Sequence, residues 1–187
     1  MSRRLLLIAL ALLCASLGLT ACGNKEETVT HGESEAVYVT LGEVQYQVQL
    51  LRQLDPYSPG DRDLLKGVAE SDRALAKDEI WFGVWVAAVN GTEDPQKLAD
   101  AFRIKDTTGK EFEPIPLEAN SPFAYRPVDI AADAVYPLPG SASGQSPTTG
   151  GFLLFRMPSK TLDFRPLELE LASTALPGEG STIRLDV

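Results

Sequence analysis

The sequence predicts an all-β fold: an antiparallel β-sandwich with helical or loop insertions. Three observations carry that expectation. From Ala36 onward the dominant hydrophobic period is two, the period of a strand with one face buried. Roughly seven or eight such short runs follow one another, separated by turn residues, as in a sandwich. The composition is that of an ordinary globular chain, with 44% hydrophobic and 23% charged residues in 187, which excludes a disordered chain, a collagen or a coiled coil. The length suits one domain and is too short for a two-lobed solute-binding protein.

The first elements set an address. Met1–Arg4 is short and basic, and Leu5 to Leu19 is a nearly unbroken apolar run. At about 15 residues that run is shorter than the roughly 20 a helix needs to cross a bilayer. It has the layout of a secretory signal peptide. Leu19, Thr20, Ala21 and Cys22 resemble the lipobox of bacterial lipoproteins, which reads Leu, a small residue, Ala or Gly, then Cys. The resemblance implies cleavage after residue 21, diacylglycerol and palmitate-type acylation of Cys22, and attachment to the outer face of the cell membrane. Cys14 competes poorly, because Leu13 before it is too bulky for the cleavage site. Ordinary secretion, with Cys22 incidental, is the alternative.

Loss of residues 1–21 removes Arg3 and Arg4 and no acid, so the formal charge moves from −9 to −11. An acidic domain is repelled by anionic lipid, so the acyl chains, and not the domain, hold the protein at the membrane. The same charge disfavours nucleic acid, which calls for a basic footprint. Cys22 is then the only cysteine and is blocked, so the domain rests on its hydrophobic core without a disulfide. Residues 22–35 are polar and acidic and read as a flexible tether, about 20 Å in random-coil span. His31, the only histidine, lies there and reads as solvated.

Residues 36–187 form the expected domain. Val37, Val39 and Leu41 alternate with Tyr38 and Thr40; Val44, Tyr46, Val48 and Leu50 alternate with Gln45, Gln47 and Gln49. Ile80–Val89 is apolar on both faces and reads as a central strand, closed by a turn at Asn90-Gly91 that fits a hairpin. Short strands follow at Ala101–Lys105, Glu111–Ile115 and Phe152–Met157. Leu167, Leu169 and Leu171 alternate with glutamates, and Ile183, Leu185 and Val187 end the chain. Asp61–Lys77 suggests one or two helical turns and Pro95–Asp100 another. Residues 120–150 read as a long loop with a flexible Gly/Ser-rich tip.

The stretch FGVWVAAVN from Phe82 to Asn90 resembles the central strand of a bacterial immunoglobulin-like domain of unknown function, found in lipoproteins and secreted proteins of Gram-positive bacteria. The similarity continues through Phe102, Ile104, Asp106, Gly109 and Phe112, and closes with GFLLFRMP from Gly151 to Pro158. It covers most of 44–171 and implies an immunoglobulin-like sandwich. Its matching residues are turn and core residues, so it carries no active site. The insertions at 53–78 and 120–150 depart from the family pattern. The composition resembles that of actinobacterial surface lipoproteins.

Nucleophilic catalysis by a Ser-His-Asp or Cys-His set is disfavoured, since the histidine is in the tether and the cysteine is blocked. In the stretch GSASG from Gly140 to Gly144, Ala142 stands where G-x-S-x-G needs serine. Glu111/Glu113 and Glu168/Glu170 are same-face carboxylate pairs that read as solvated. Glu93, Asp94, Asp100 and Asp106 lack the D-x-D-x-D-G pattern of a calcium loop, and Asp106 reads as a turn residue. No catalytic residue, metal or cofactor is therefore expected. Trp81 and Trp85 share one face of the central strand, with Gly83 as a gap between them. That face needs a cover, which is either an insertion of the chain itself or a partner, and the two tryptophans are the candidate binding residues. The expected function is a membrane-anchored, non-enzymatic binding or protein-interaction module of the cell envelope. Its expected partners are membrane lipid through Cys22 and an envelope protein. The alternatives are an accessory subunit of an envelope transporter or cell-wall enzyme, and a carboxylate-based hydrolase.

Overall fold

The computed structural model describes residues 30–32 and 37–185; the expected signal peptide, Cys22 and most of the expected tether lie outside the described residues. Two sheets face each other. The first contains β2 (Val39–Leu41), β3 (Val44–Leu54), β4 (Glu79–Asn90) and β10 (Gly151–Pro158), ordered β10-β4-β3-β2, with β9 (Val135–Tyr136) also pairing β4. The second contains β1 (His31–Gly32), β6 (Ala101–Lys105), β7 (Glu111–Phe112), β11 (Leu167–Ala172) and β12 (Gly180–Leu185), ordered β1-β12-β11-β6-β7. Successive long strands switch sheets: β4 to β6, β7 to β10, β10 to β11. With β3, β4 and β10 in the places of strands A, B and E, and β6, β11 and β12 in those of C, F and G, this is the immunoglobulin arrangement.

The period-two pattern explains the core between the sheets. Tyr46 and Val48 from β3, Phe82, Val84 and Val86 from β4, and Phe155 and Met157 from β10 pack against Ile104, Leu167, Leu169, Leu171 and Ile183. The outward positions of the second sheet carry cross-strand ion pairs: Arg103 to Glu111 at 2.7 Å, and Arg103 and Lys105 to Glu170 at 4.0 and 3.9 Å. Glu111 and Glu113 are exposed and Glu168 and Glu170 half-buried, on the side away from the leucines.

Several local expectations change. Leu50 does not share a face with Val44, Tyr46 and Val48. A bulge between Val48 and Leu50 places one extra residue on β3, so Leu50 turns to the Trp81/Trp85 side and Leu51 takes the inner position. Residues 96–97 form no helical turn; they are strand β5 and pair with β8 (Asp129–Ile130). Asn90-Gly91 makes no hairpin, because the chain crosses to the other sheet. Instead the fully buried Asn90 side chain donates to the carbonyls of Asp94 and Ala131 and accepts from the Thr92 N–H and hydroxyl. The tip of 120–150 has a fixed local shape: Ser141 caps a one-turn helix, Ala142–Gln145, and the Ser143 hydroxyl donates to Pro122 and Phe123 carbonyls.

The same insertion is tied into the core through tyrosines. The Tyr125 hydroxyl donates to the Ala99 carbonyl at 3.0 Å, and the Tyr46 hydroxyl accepts from the Ala99 N–H at 2.7 Å. Burial pushes the Tyr46 phenol up to about 12 and raises Tyr125 and Tyr136 as well, so all three stay neutral phenols. Asp106 makes the expected turn. Its carboxylate accepts from Thr108 and Lys110, and Gly109 takes a φ of +83° that favours glycine. Part of the expected tether is docked: residues 31–32 pair in parallel with Thr182 and Ile183, and the Thr182 N–H donates to the Thr30 carbonyl.

Candidate functional site

The outer face of β4 has its own hydrophobic cluster. Trp81 and Trp85 are only 2% and 4% exposed. They pack with Leu54, Val68, Phe152 and Leu154, and with the half-buried Leu64, Leu65, Leu75, Ile115, Leu117 and Phe123. The cover is the chain itself, from the 53–78 insertion and the segment around 115–123. Gly83 creates the room: a Cβ there would stand 2.8 Å from the Phe152 ring and 2.9 Å from Trp85, whose rings meet with centroids 4.8 Å apart. The two tryptophans are therefore not an open docking face. Their large apolar area is already removed from water, so they do not by themselves offer a partner surface.

The insertion folds by local rules. Pro59 sits in the first turn of the helix Pro59–Leu65, where its missing N–H costs nothing. Asp61, in the same turn, is 5% exposed and accepts from the Asp55 N–H at 2.8 Å and from Arg52 Nη1 at 2.9 Å, with Arg52 Nη2 on its other oxygen. That guanidinium also stands 5.5 Å over the Trp85 ring. The Arg52 bond holds the Asp61 carboxyl below the usual carboxylate range. Arg52, itself seated over Trp85 of the same sheet, thus latches the insertion to the sheet through the Asp61 carboxylate. Farther along, the Arg73 Nε donates to the Val68 carbonyl at 2.9 Å, fixing the turn after the helix.

Between this cover and the start of β4 lies an open cavity of about 640 Å³. Pro56, Pro59, Leu65, Val68 and an edge of Trp81 form its apolar lining; Arg62, Lys66, Arg73 and Asp63 supply its charge. Asp63 pairs with Lys66 at 2.5 Å, so the lining carries two more cations than anions, and neither guanidinium forms an ion pair with a lining carboxylate. A basic concavity stands on a chain whose formal charge is −9. Tyr57, in the turn between the two lining prolines, is 88% exposed. The cavity has the size of a small-ligand site. Among the described residues no group of three or more His, Cys, Asp or Glu is placed to hold a metal ion.

A second cleft, about 510 Å³, lies at the opposite end of the sandwich and is lined by Thr30, Gly42, Glu43, Lys97 and Gly178 among others. The two ends are separated by the length of β3, from Val44 to Leu54, about 30 Å at the rise of a strand. The docked N-terminal segment and the cavity therefore mark opposite poles.

Sequence reasoning located the tryptophan face and the insertion and missed the cavity. Its cations Arg62, Lys66 and Arg73 are interleaved with Asp61, Asp63, Glu70 and Asp72. The linear pattern therefore shows no charge bias, and only folding sorts the two signs. Cys22 lies outside the described residues.

No protein-family profile matches the sequence, and no curated protein sequence matches it. Solved structures do match. The yjhA protein of Bacillus subtilis superposes with a TM-score of 0.53 at 12% identity, over 82% of this chain and 99% of that one. The candidate lipoprotein ycdA of Bacillus subtilis superposes with a TM-score of 0.51 at 15% identity, over 80% of this chain. This chain spans only 38% of ycdA's solved chain. At such identities the likeness shows the sandwich fold and nothing of the activity.

Proposed function

We propose that the protein is a lipid-anchored, non-enzymatic binding or protein-interaction module of the cell envelope, and that the 53–78 insertion is its binding element. The carrying observation is the cavity. The outer sheet face is covered by an added segment that leaves a basic, aromatic-edged concavity at the pole opposite the docked N-terminal segment. Acylation of Cys22 would place residue 30 near the bilayer, since eight residues reach at most about 27 Å. The insertion pole then points outward, where envelope components are met. The two buried carboxylates among the described residues, Asp61 and Asp106, do not have the state of a carboxylate general acid. A general acid needs a raised pKa. Asp61 is held low by Arg52, and at Asp106 the bonds from Thr108 and Lys110 outweigh burial and hold it low as well.

Two measurements test this reading. Cys22→Ala should move the protein from the membrane to the soluble fraction. A photo-crosslinking residue at Tyr57 should capture one envelope component in living cells, whereas the same residue at Glu179, on the opposite pole, should not. Equal capture from both poles, or turnover of an envelope substrate that one point mutation abolishes, overturns the proposal.

A further inference from the structure

We infer that the cavity at the insertion pole takes an amphipathic anion: a compact apolar or aromatic body carrying a phosphate- or carboxylate-type head. The inference rests on the reading of the insertion as the binding element and adds the chemistry of the ligand. The lining is divided in a way that matches such a molecule. Leu65, Val68, the prolines and the Trp81 edge offer apolar area, while Arg62 and Arg73 offer planar cationic donors. Arg73 is already oriented, because its Nε and Nη2 are held by the carbonyls of Val68 and Lys66 at 2.9 and 3.4 Å. An oriented guanidinium loses little freedom on meeting an anion. Arg62 is exposed and makes no ion pair among the described residues; Asp63, which feels its charge from farther off, is paired with Lys66.

Charge decides the class. On a chain with formal charge −9, a lining with three cations and one anion is a local reversal. Its field favours anions at short range and is screened by salt. The volume excludes a folded domain and accommodates a molecule of one or two rings or a short acyl chain. Tyr57, between the lining residues Pro56 and Pro59, adds an exposed ring of the kind on which a flat ligand stacks.

The test uses the full acylated protein in zwitterionic phosphatidylcholine nanodiscs, with empty nanodiscs as the blank. 1-Naphthyl phosphate is titrated by calorimetry, with neutral 1-naphthol, inorganic phosphate and octyl phosphate as parallel probes. The expected result is one naphthyl phosphate per protein, bound tighter than naphthol or inorganic phosphate. Arg62→Ala should weaken binding roughly tenfold, as loss of a charge-assisted contact predicts. Arg62→Glu should abolish it, and Lys110→Ala, in the turn between β6 and β7, should leave it unchanged. Binding of naphthyl phosphate above octyl phosphate assigns an aromatic ligand; the reverse assigns a lipid-derived one. The inference is overturned if folded protein binds no probe, if Arg62→Glu binds as well as the parent, or if inorganic phosphate binds as tightly as the amphiphile. Capture of a partner at Tyr57 with no probe binding overturns the ligand class alone; failure of both overturns the binding element itself.

Discussion

On its inner face β4 sets Phe82, Val84 and Val86 against strands of the opposite sheet. On its outer face it sets Trp81 and Trp85 against a short helix, turns and an irregular segment. Both faces are buried, yet they are held differently. The elements that cover the inner face are ladders in continuous antiparallel register, such as β11 with both β6 and β12. The outer cover is attached by a hydrophobic cluster and by isolated contacts, among them the Arg52–Asp61 pair, the Ile115 N–H on the Leu154 carbonyl at 2.7 Å and the Phe152 N–H on the Phe123 carbonyl at 2.8 Å. A layer attached at points can be altered without dismantling the sheets beneath it. That is why the outer layer, and not the common sandwich, is the place for a function particular to this chain.

The comparison can be broken at either face. The largest effect is expected at Phe82→Ala, which empties a fully buried ring site of the inner core and should cost about 3–5 kcal/mol in urea unfolding. Trp81→Ala should fall at the low end of that range, about 3 kcal/mol, because the insertion can settle into the space. In that variant, amide exchange should quicken across 55–78 and stay slow at Leu169 and Ile183; equal quickening in both regions would mean that the two layers unfold as one. Gly83→Ala should cost about 1–2 kcal/mol by overpacking against the Phe152 and Trp85 rings.

Asp61→Asn should cost about 1–2 kcal/mol, limited by the 40% exposure of its Arg52 partner. Its pH dependence has a definite sign. The Arg52 bond lowers the folded-state pKa of Asp61, so the unfolded chain takes up the proton first as pH falls. The contribution is complete above the unfolded-state pKa of about 3.9 and is lost as pH drops through the folded-state value. The variant should therefore show a flatter acid limb in urea midpoints measured across that range. At the small end, Arg103→Ala on the exposed sheet face should not shift the urea midpoint measurably, because its ion pairs with Glu111 and Glu170 are open to water.

Much of the fold was legible in sequence because burial on one or both strand faces leaves a direct pattern of apolar residues. Tyr46 and Val48, the two-sided run of β4, and the Leu167–Leu171 alternation all sit where the pattern puts them. The pattern failed where one backbone event resets it. The bulge after Val48 moved Leu50 to the other face, and Gln96–Lys97 became a strand because a distant partner, Asp129–Ile130, supplied its hydrogen bonds. The candidate site was legible only in part. Trp81 and Trp85 announced a face that had to be covered, but nothing in the linear order of 53–78 says that its cations gather around one cavity.

By itself the sequence determined the period-two sandwich, the central strand and its need for two covers, the turn at Asp106, and the expectation of a lipid anchor at Cys22. These are local matters: each depends on residues within a turn or a strand of one another. Only the tertiary structure decided which segment covers the tryptophans, which pole faces away from the docked N-terminal residues, and where Arg62 and Arg73 stand relative to Trp81. Those relations join residues up to about 30 Å apart along the sheet, and their energies come from packing and Coulomb contacts that exist only once the chain has closed on itself.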